Sequence, residues 1–179
     1  MRHDATDRWQ VSPFIDAAIA ELDLPLVGKP VTGSFGTNVA LLHTREDLVA
    51  YCTKFDRFYP GLVQRYSPSK DNSDVRVIVV GGRAVAAMRR VSPNGDFRAN
   101  LALGGLAQQV ELDAIDRRVA EEAALVVGAD FVGVDLLRAG TKRPLVCEVN
   151  SHPQFTGVEA ACGIDFPGLV LDYVARALG

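Results

Sequence analysis

Residues 133–155 read GVDLLRAGTKRPLVCEVNSHPQF. One apolar run delivers Asp135, the chain turns, and a second apolar run delivers Glu148 and Asn150. A charge buried without a partner is expensive, so carboxylates inside strand-like stretches need a counter-ion, a hydrogen-bond network or a metal. Side chains alternate faces along a strand, which points Glu148 and Asn150 one way and Val149 the other. A turn centred near Thr141 and Lys142 sets Asp135 opposite Glu148 in an antiparallel hairpin. Two carboxylates and an amide oxygen then share one patch of sheet. That donor set suits Mg²⁺, which takes about six oxygens and shares them among protein, water and substrate phosphate. A solvated sheet face, or a carboxylate pair capping a loop, accounts for the same spacing.

The rest of the chain sets the frame. Its 179 residues are 48% hydrophobic and 23% charged, which is enough for one good core or two small lobes. A formal net charge of −3 gives no basic footprint for DNA or RNA, so nucleic acid is not an expected partner. Cys52, Cys147 and Cys162 have neither metal-finger nor redox spacing and read as reduced thiols of a cytoplasmic protein. The N-terminus lacks the apolar core of a signal peptide, and no apolar run approaches the roughly 18 residues of a membrane span.

Local patterns predict the elements. Ser12 before Pro13 marks the start of a helix in SPFIDAAIAELDL, and Thr44 with Asp47 three residues on caps a second in TREDLVAYCTKF. PLVGKPV, VALLH and GLVQRY read as strands. Gly81-Gly82 divides VRVIVVGGRAVAAMRR into a hairpin, because such turns need positive φ. Asp113 opens a helix that Gly128 stops, with Ile115, Val119, Ala123 and Val126 on its apolar side. FPGLVLDYVARAL closes the chain as a helix. Strands outnumber helices and include hairpins, so the predicted class is α+β with a largely antiparallel sheet.

Three further features carry chemistry. GKPVTGSFG places Lys29 before a loop with Gly33, Ser34 and Gly36. Glycines let backbone N–H groups approach a phosphate and a lysine adds a point charge, although the P-loop has its lysine after the glycines. Most short glycine loops are merely turns. NGDFRANLALGG gathers Asp96, Arg98 and Asn100, where Arg98 is either an oxyanion clamp or a surface arginine. His152 follows Asn150 by two residues and reads as a substrate contact or a structural histidine.

Taken in order, LPLVGKPVTGSFGTNV, LVQRY, SDVRVIVVGGRAVAAMRR, NGDFRANLALGG, GADFVGVDLL and LVCEVNSHPQFTGVEAACGID resemble the ATP-grasp superfamily, in its RimK-like α-L-glutamate ligase branch. The likeness runs from about Leu24 to the end, and GDFRAN, GVDLL and EVNS carry it in combination. The resemblance implies an ATP-grasp-like fold truncated at the N-terminus. It implies an extension over residues 1–23, a small ATP-lobe remnant over 24–63 and a metal-binding lobe over 64–179.

The resemblance also implies an ATP-dependent carboxylate–amine ligase working through an acyl phosphate, with glutamate the family's usual amino acid. By position, Asp135, Glu148 and Asn150 would hold Mg²⁺, or Mn²⁺ in its place. Lys29 would contact phosphate under the Gly33–Ser34–Gly36 loop, and Gln64, Arg65 and Tyr66 would touch adenine largely through main chain. Asp74 takes another nucleotide-contacting position, Arg98 and Asn100 lie beside the transferred phosphoryl group, and Arg76 or Arg98 stabilises the later oxyanion. His152, Gln154 and Phe155 would shape an acceptor pocket. Two departures stand out: only 28 residues precede Lys29, and Arg65 occupies a position that is usually acidic. The missing region is expected from a partner chain or a homo-oligomer, or else the chain is a piece of a longer product. The alternative reading is a non-catalytic nucleotide- or peptide-binding module.

Overall fold

The computed structural model describes residues 12–33, 36–55, 59–69, 71–92, 95–99, 105–140 and 142–179. Ser34, Asn100 and the expected turn residue Thr141 lie outside the described residues. The chain divides into two compact units, Met1–Ser67 and Pro68–Gly179.

The first unit contains α1 (Pro13–Leu22), β1 (Leu26–Pro30), β2 (Ala40–Leu42), α2 (Arg45–Cys52) and β3 (Gly61–Arg65). Its sheet has the order β2-β1-β3, and both pairings are antiparallel. Thr44 forms the expected capping box: its hydroxyl accepts from Asp47 N at 3.0 Å while Asp47 Oδ2 accepts from Thr44 N at 3.0 Å. Ser12 does stand before Pro13 at the head of α1, but its hydroxyl makes no capping bond. Ile15 and Ala18 of α1 join Leu26, Leu42, Leu48, Val49 and Tyr51 in one core. Helix α1, which falls within the expected extension of residues 1–23, therefore contributes to the core of this unit. The boundary expected after Val63 would cut β3, and the compact division falls beyond it, at Ser67 and Pro68.

The second unit contains β4 (Ser73–Val80), β5 (Arg83–Val91), β6 (Leu106–Gln109), α3 (Ala114–Val127), β7 (Phe131–Leu137), β8 (Leu145–Asn150), α4 (Thr156–Cys162) and α5 (Phe166–Leu178). Its five strands run β6-β5-β4-β7-β8, antiparallel throughout. Gly81 and Gly82 turn β4 into β5 at φ 57° and 74°, as the hairpin requires. On one sheet face Val75, Val77, Val79, Val132, Val134 and Leu136 pack against Ala120 and Ala124 of α3. On the other, Ile78, Val80 and Met88 meet Val158 of α4 and Phe166 of α5.

Helix α3 is capped by Asp113, which accepts from Ile115 N and Asp116 N, and it ends at Gly128 in the left-handed conformation. Its inward side differs from the expected one. Asp116, Ala120 and Ala124 are buried, Val119 and Ala123 are partly so, whereas Ile115 is 37% and Val126 85% exposed. Small alanines let the helix lie close on the sheet, and the ion pair of Asp116 with Arg138 supplies the partner that a buried carboxylate needs. No described helix is long and apolar enough to cross a membrane.

Candidate active site

The face of the second sheet that carries α4 and α5 changes character along its strands. At one end lie Ile78, Val80, Met88 and Phe131, under the two helices. Two to four residues further along the same strands come Asp74 and Arg76 on β4, Arg90 on β5 and Asp135 on β7. Register places Asp74 opposite Arg90, and Arg76 opposite Asp135.

These four side chains form an ionic quartet, linked in the order Asp74, Arg90, Asp135, Arg76. Arg76 grips Asp135 with both prongs, Nε to Oδ1 and Nη2 to Oδ2, each at 2.7 Å. Arg90 grips Asp74 in the same way, at 2.6 Å and 2.6 Å, and its Nη2 also lies 2.9 Å from Asp135 Oδ2. Arg90 and Asp135 are only 2% and 3% exposed. Burial pushes the Asp135 carboxyl up, but Arg90 and Arg76 outweigh it and hold the group below its ordinary range. Burial likewise opposes the charge on Arg90, and Asp135 with Asp74 more than offsets it, so the guanidinium is raised further. Two guanidiniums against two carboxylates leave the quartet balanced.

The hairpin register matches the expectation. Asp135 pairs with Glu148 and Gly133 with Asn150, while a bulge lies between Asp135 and Leu136. The expected reason for the pairing needs correction. Of the two paired carboxylates only Asp135 is buried, and its partners are arginines. Glu148 stands exposed on β8, an edge strand, and accepts from Asn150 Nδ2 at 3.0 Å. That bond leaves the amide oxygen of Asn150 and the second oxygen of Glu148 for other partners. With Asp135 opposite, the three side chains are hard-oxygen donors on one sheet face, a donor set that fits Mg²⁺. Among the described residues no group of three His, Cys, Asp or Glu gathers to hold a metal.

Gly133 explains how the chain returns over this face. A Cβ there would meet Pro153 Cβ at 2.8 Å and Arg76 Nε at 3.7 Å. Only a residue without a side chain lets Pro153, in the segment after Asn150, come so close to β7.

The other expected site residues sit as follows. Arg98 is held by Asp96, whose Oδ1 accepts from Arg98 N at 2.9 Å and Nε at 3.1 Å, and whose Oδ2 accepts from Nη2 at 2.8 Å. Those hydrogen bonds from Arg98 pull the Asp96 carboxyl below its ordinary range. Lys29, Gly33, Gly36, Gln64, Arg65 and Tyr66 belong to the first unit. Lys29 pairs with Leu62 and Val27 with Gln64, so Lys29 and Gln64 share the sheet face opposite Leu26. Arg65 turns the other way: its Nη2 donates to Glu21 O at 3.0 Å and lies 3.7 Å from Asp23 Oδ2. Gly36 starts the turn that Val39 N closes on Gly36 O at 3.3 Å. The residue missing from the expected set is Arg90.

The profile of the RimK-like ATP-grasp domain matches residues 4–174. A protein described as a probable α-L-glutamate ligase from Serratia proteamaculans (strain 568) is 42% identical over 153 residues, 85% of this chain and 51% of that protein. Another so described, from Methanococcoides burtonii, is 38% identical over 154 residues, covering 86% and 51%. The chain therefore spans about half the length of these relatives. Among solved structures, the D-cycloserine synthetase DcsG superposes with a TM-score of 0.72 at 20% identity, over 99% of this chain and 62% of that one. A RimK domain protein ATP-grasp from Sphaerobacter thermophilus gives 0.63 at 25% identity, over 89% and 56%. The ATP-grasp ligase PsnB, in complex with a phosphomimetic variant of its minimal precursor, Mg and ADP, gives 0.65 at 21% identity, over 92% and 50%.

Proposed function

The chain belongs to the RimK-like ATP-grasp family, and on that premise we propose that it is the nucleotide- and metal-binding part of an ATP-dependent carboxylate–amine ligase. A substrate carboxylate attacks the terminal phosphorus of ATP and ADP leaves. An amine then attacks the acyl carbon of the acyl phosphate, phosphate departs, and the amine loses a proton to give the amide. Glutamate is the amino acid we propose, after the names of the relatives.

Phosphoryl transfer asks a protein mainly for positioning and charge neutralisation. Asp135, Glu148 and Asn150 hold Mg²⁺, which when bound offsets the charge of the phosphates. Lys29 and the loop from Gly33 to Gly36, including Ser34, take phosphate. Gln64, Arg65 and Tyr66 take adenine through main chain, consistent with an Arg65 side chain already engaged with Glu21 O. Asp74 contacts nucleotide, and Arg98 with Asn100 lies by the transferred group. Arg76 or Arg98 steadies the oxyanion of the second step. We place the reaction in the cytoplasm, where the cysteines Cys52, Cys147 and Cys162 stay reduced.

The observation that carries this reading is the direct pairing of Asp135 with Glu148, beside Asp74 and Arg76 on one sheet face of a family member. The test is an assay with Mg-ATP and a mixture of amino acids. ADP and phosphate release that depends on added amine supports ligation. A second reading, binding without ligation, is favoured by the full engagement of Asp135 with two guanidiniums. It predicts Mg-ATP binding with no turnover in the same assay. Assembly with a second copy or a partner chain is checked by light scattering.

A further inference from the structure

Arg90 has no role in the reading above, yet it is among the least exposed polar residues of the chain, at 2%. It sits on β5, and β4 separates β5 from β7. Its guanidinium nevertheless bonds Asp74 through two nitrogens and reaches Asp135 Oδ2 at 2.9 Å. Burying a guanidinium costs several kcal/mol before its bonds repay it, and apolar replacements of buried ion pairs are often no less stable. Stability alone is thus a weak reason for an arginine here. What the planar fork supplies, and a lysine does not, is a fixed geometry between two carboxylates.

We propose that Arg90 is a positioning residue that ties Asp74 to Asp135, so that nucleotide binding and divalent-cation binding depend on one another. This rests on the roles proposed above for those two aspartates. Arg76 does not duplicate the link, because both of its hydrogen bonds go to Asp135. A nucleotide that orients Asp74 orients the guanidinium, and through it the carboxylate that faces the cation. The cation acts on the nucleotide site by the same route, with equal coupling in both directions.

Mn²⁺ binding, read from the relaxation of water protons with and without adenosine, tests the link, because adenosine has no phosphate to ligate the ion itself. The ratio of the two affinities is the readout, because a partly unfolded sample weakens both alike. In the native protein adenosine should tighten Mn²⁺ by about tenfold or more, within the usual range for coupled sites, and a native ratio near one overturns the proposal. In Arg90→Lys the ratio should fall below about threefold. A ratio that stays at the native value in folded Arg90→Lys overturns the proposal. Where Arg90→Lys does not fold, Asp74→Asn/Arg90→Gln replaces the ion pair with two amides and should show the same loss of coupling. If neither variant folds, Arg90 serves the fold alone and the proposal is wrong. Native protein that binds neither Mn²⁺ nor ADP overturns the parent reading instead.

Discussion

Asp135 and Glu148 face one another across β7 and β8, yet Asp135 is sealed against two guanidiniums while Glu148 is open to solvent. One of the two proposed metal donors is thus part of the fold and the other is not. Asp135→Asn leaves Arg76 and Arg90 sharing one fewer buried carboxylate and should destabilise by about 3–5 kcal/mol. Glu148→Gln removes an exposed charge and should change stability by no more than about 0.5 kcal/mol. Both should weaken Mn²⁺ binding. Denaturant unfolding alongside metal titration separates the two effects, and equal destabilisation by both variants would contradict the contrast.

Tyr51 gives a pH dependence of its own. Its hydroxyl donates to Asn38 O at 2.8 Å, and its ring lies in the core of the first unit. Burial, with Tyr59 and Cys52 adding to it, pushes its pKa up to about 12. A raised folded pKa favours the neutral phenol, so the contribution is complete below about pH 10 and is lost as pH climbs from there towards 12. The loss across that window should be on the order of 2–3 kcal/mol. An optical titration should show tyrosine ionisation continuing well above pH 10, and Tyr51→Phe should remove the step near 12 together with the matching part of the alkaline decline. A titration in which every tyrosine ionises together near pH 10 would rule this out.

Gly133 ties the fold to the site. Gly133→Ala puts a methyl group against Pro153, where the nearest approach would be 2.8 Å. The segment following Asn150 must then shift, at a cost of about 1–3 kcal/mol. Because Asn150 pairs with Gly133, the same shift should move a proposed metal donor. The expected result is lower stability together with weaker Mn²⁺ binding. Lower stability with unaltered metal affinity would mean that Pro153 yields without disturbing β8.

Much of this was legible because local chemistry decides it. The Thr44–Asp47 box, the Gly81-Gly82 turn, the Asp113 cap and the Gly128 stop each rest on a few neighbouring residues. The pairing of Asp135 with Glu148 followed from strand alternation and the position of the turn. Arg90 was not legible, for a definite reason. Counting outward from Gly81-Gly82 without interruption sets Arg89 opposite Asp74, but a bulge at Ile78/Val79 shifts the register by one and brings Arg90 there instead. A one-residue slip exchanges the two arginines between faces: Arg90 enters the quartet and Arg89 pairs with Asp71. Strand β6 and helix α4 were missed because each is short. Leu-Ala-Gln-Gln has no clear alternation, and Thr156–Cys162 starts without a side-chain cap. The buried side of α3 was misjudged because alanines and a paired aspartate, not the larger apolar residues, face the sheet.

Arg98 offers the sharpest kinetic test. Its guanidinium is held by both oxygens of Asp96 and lies over the Phe97 ring at 5.7 Å, so it is oriented before any substrate arrives. A cation fixed in advance stabilises charge that develops during reaction without the cost of reorganising at that moment. Arg98→Ala should therefore lower turnover by about 10²–10³-fold while changing Mg-ATP affinity far less. Asp96→Asn keeps the guanidinium but loosens its hold, and should fall between the two. Amine-dependent phosphate release measures the first quantity, and calorimetry with a non-hydrolysable ATP analogue measures the second. If Arg98→Ala turns over at the native rate, Arg98 serves only its local ion pair with Asp96. If affinity falls as far as turnover, the residue binds the nucleotide uniformly rather than favouring the transition state.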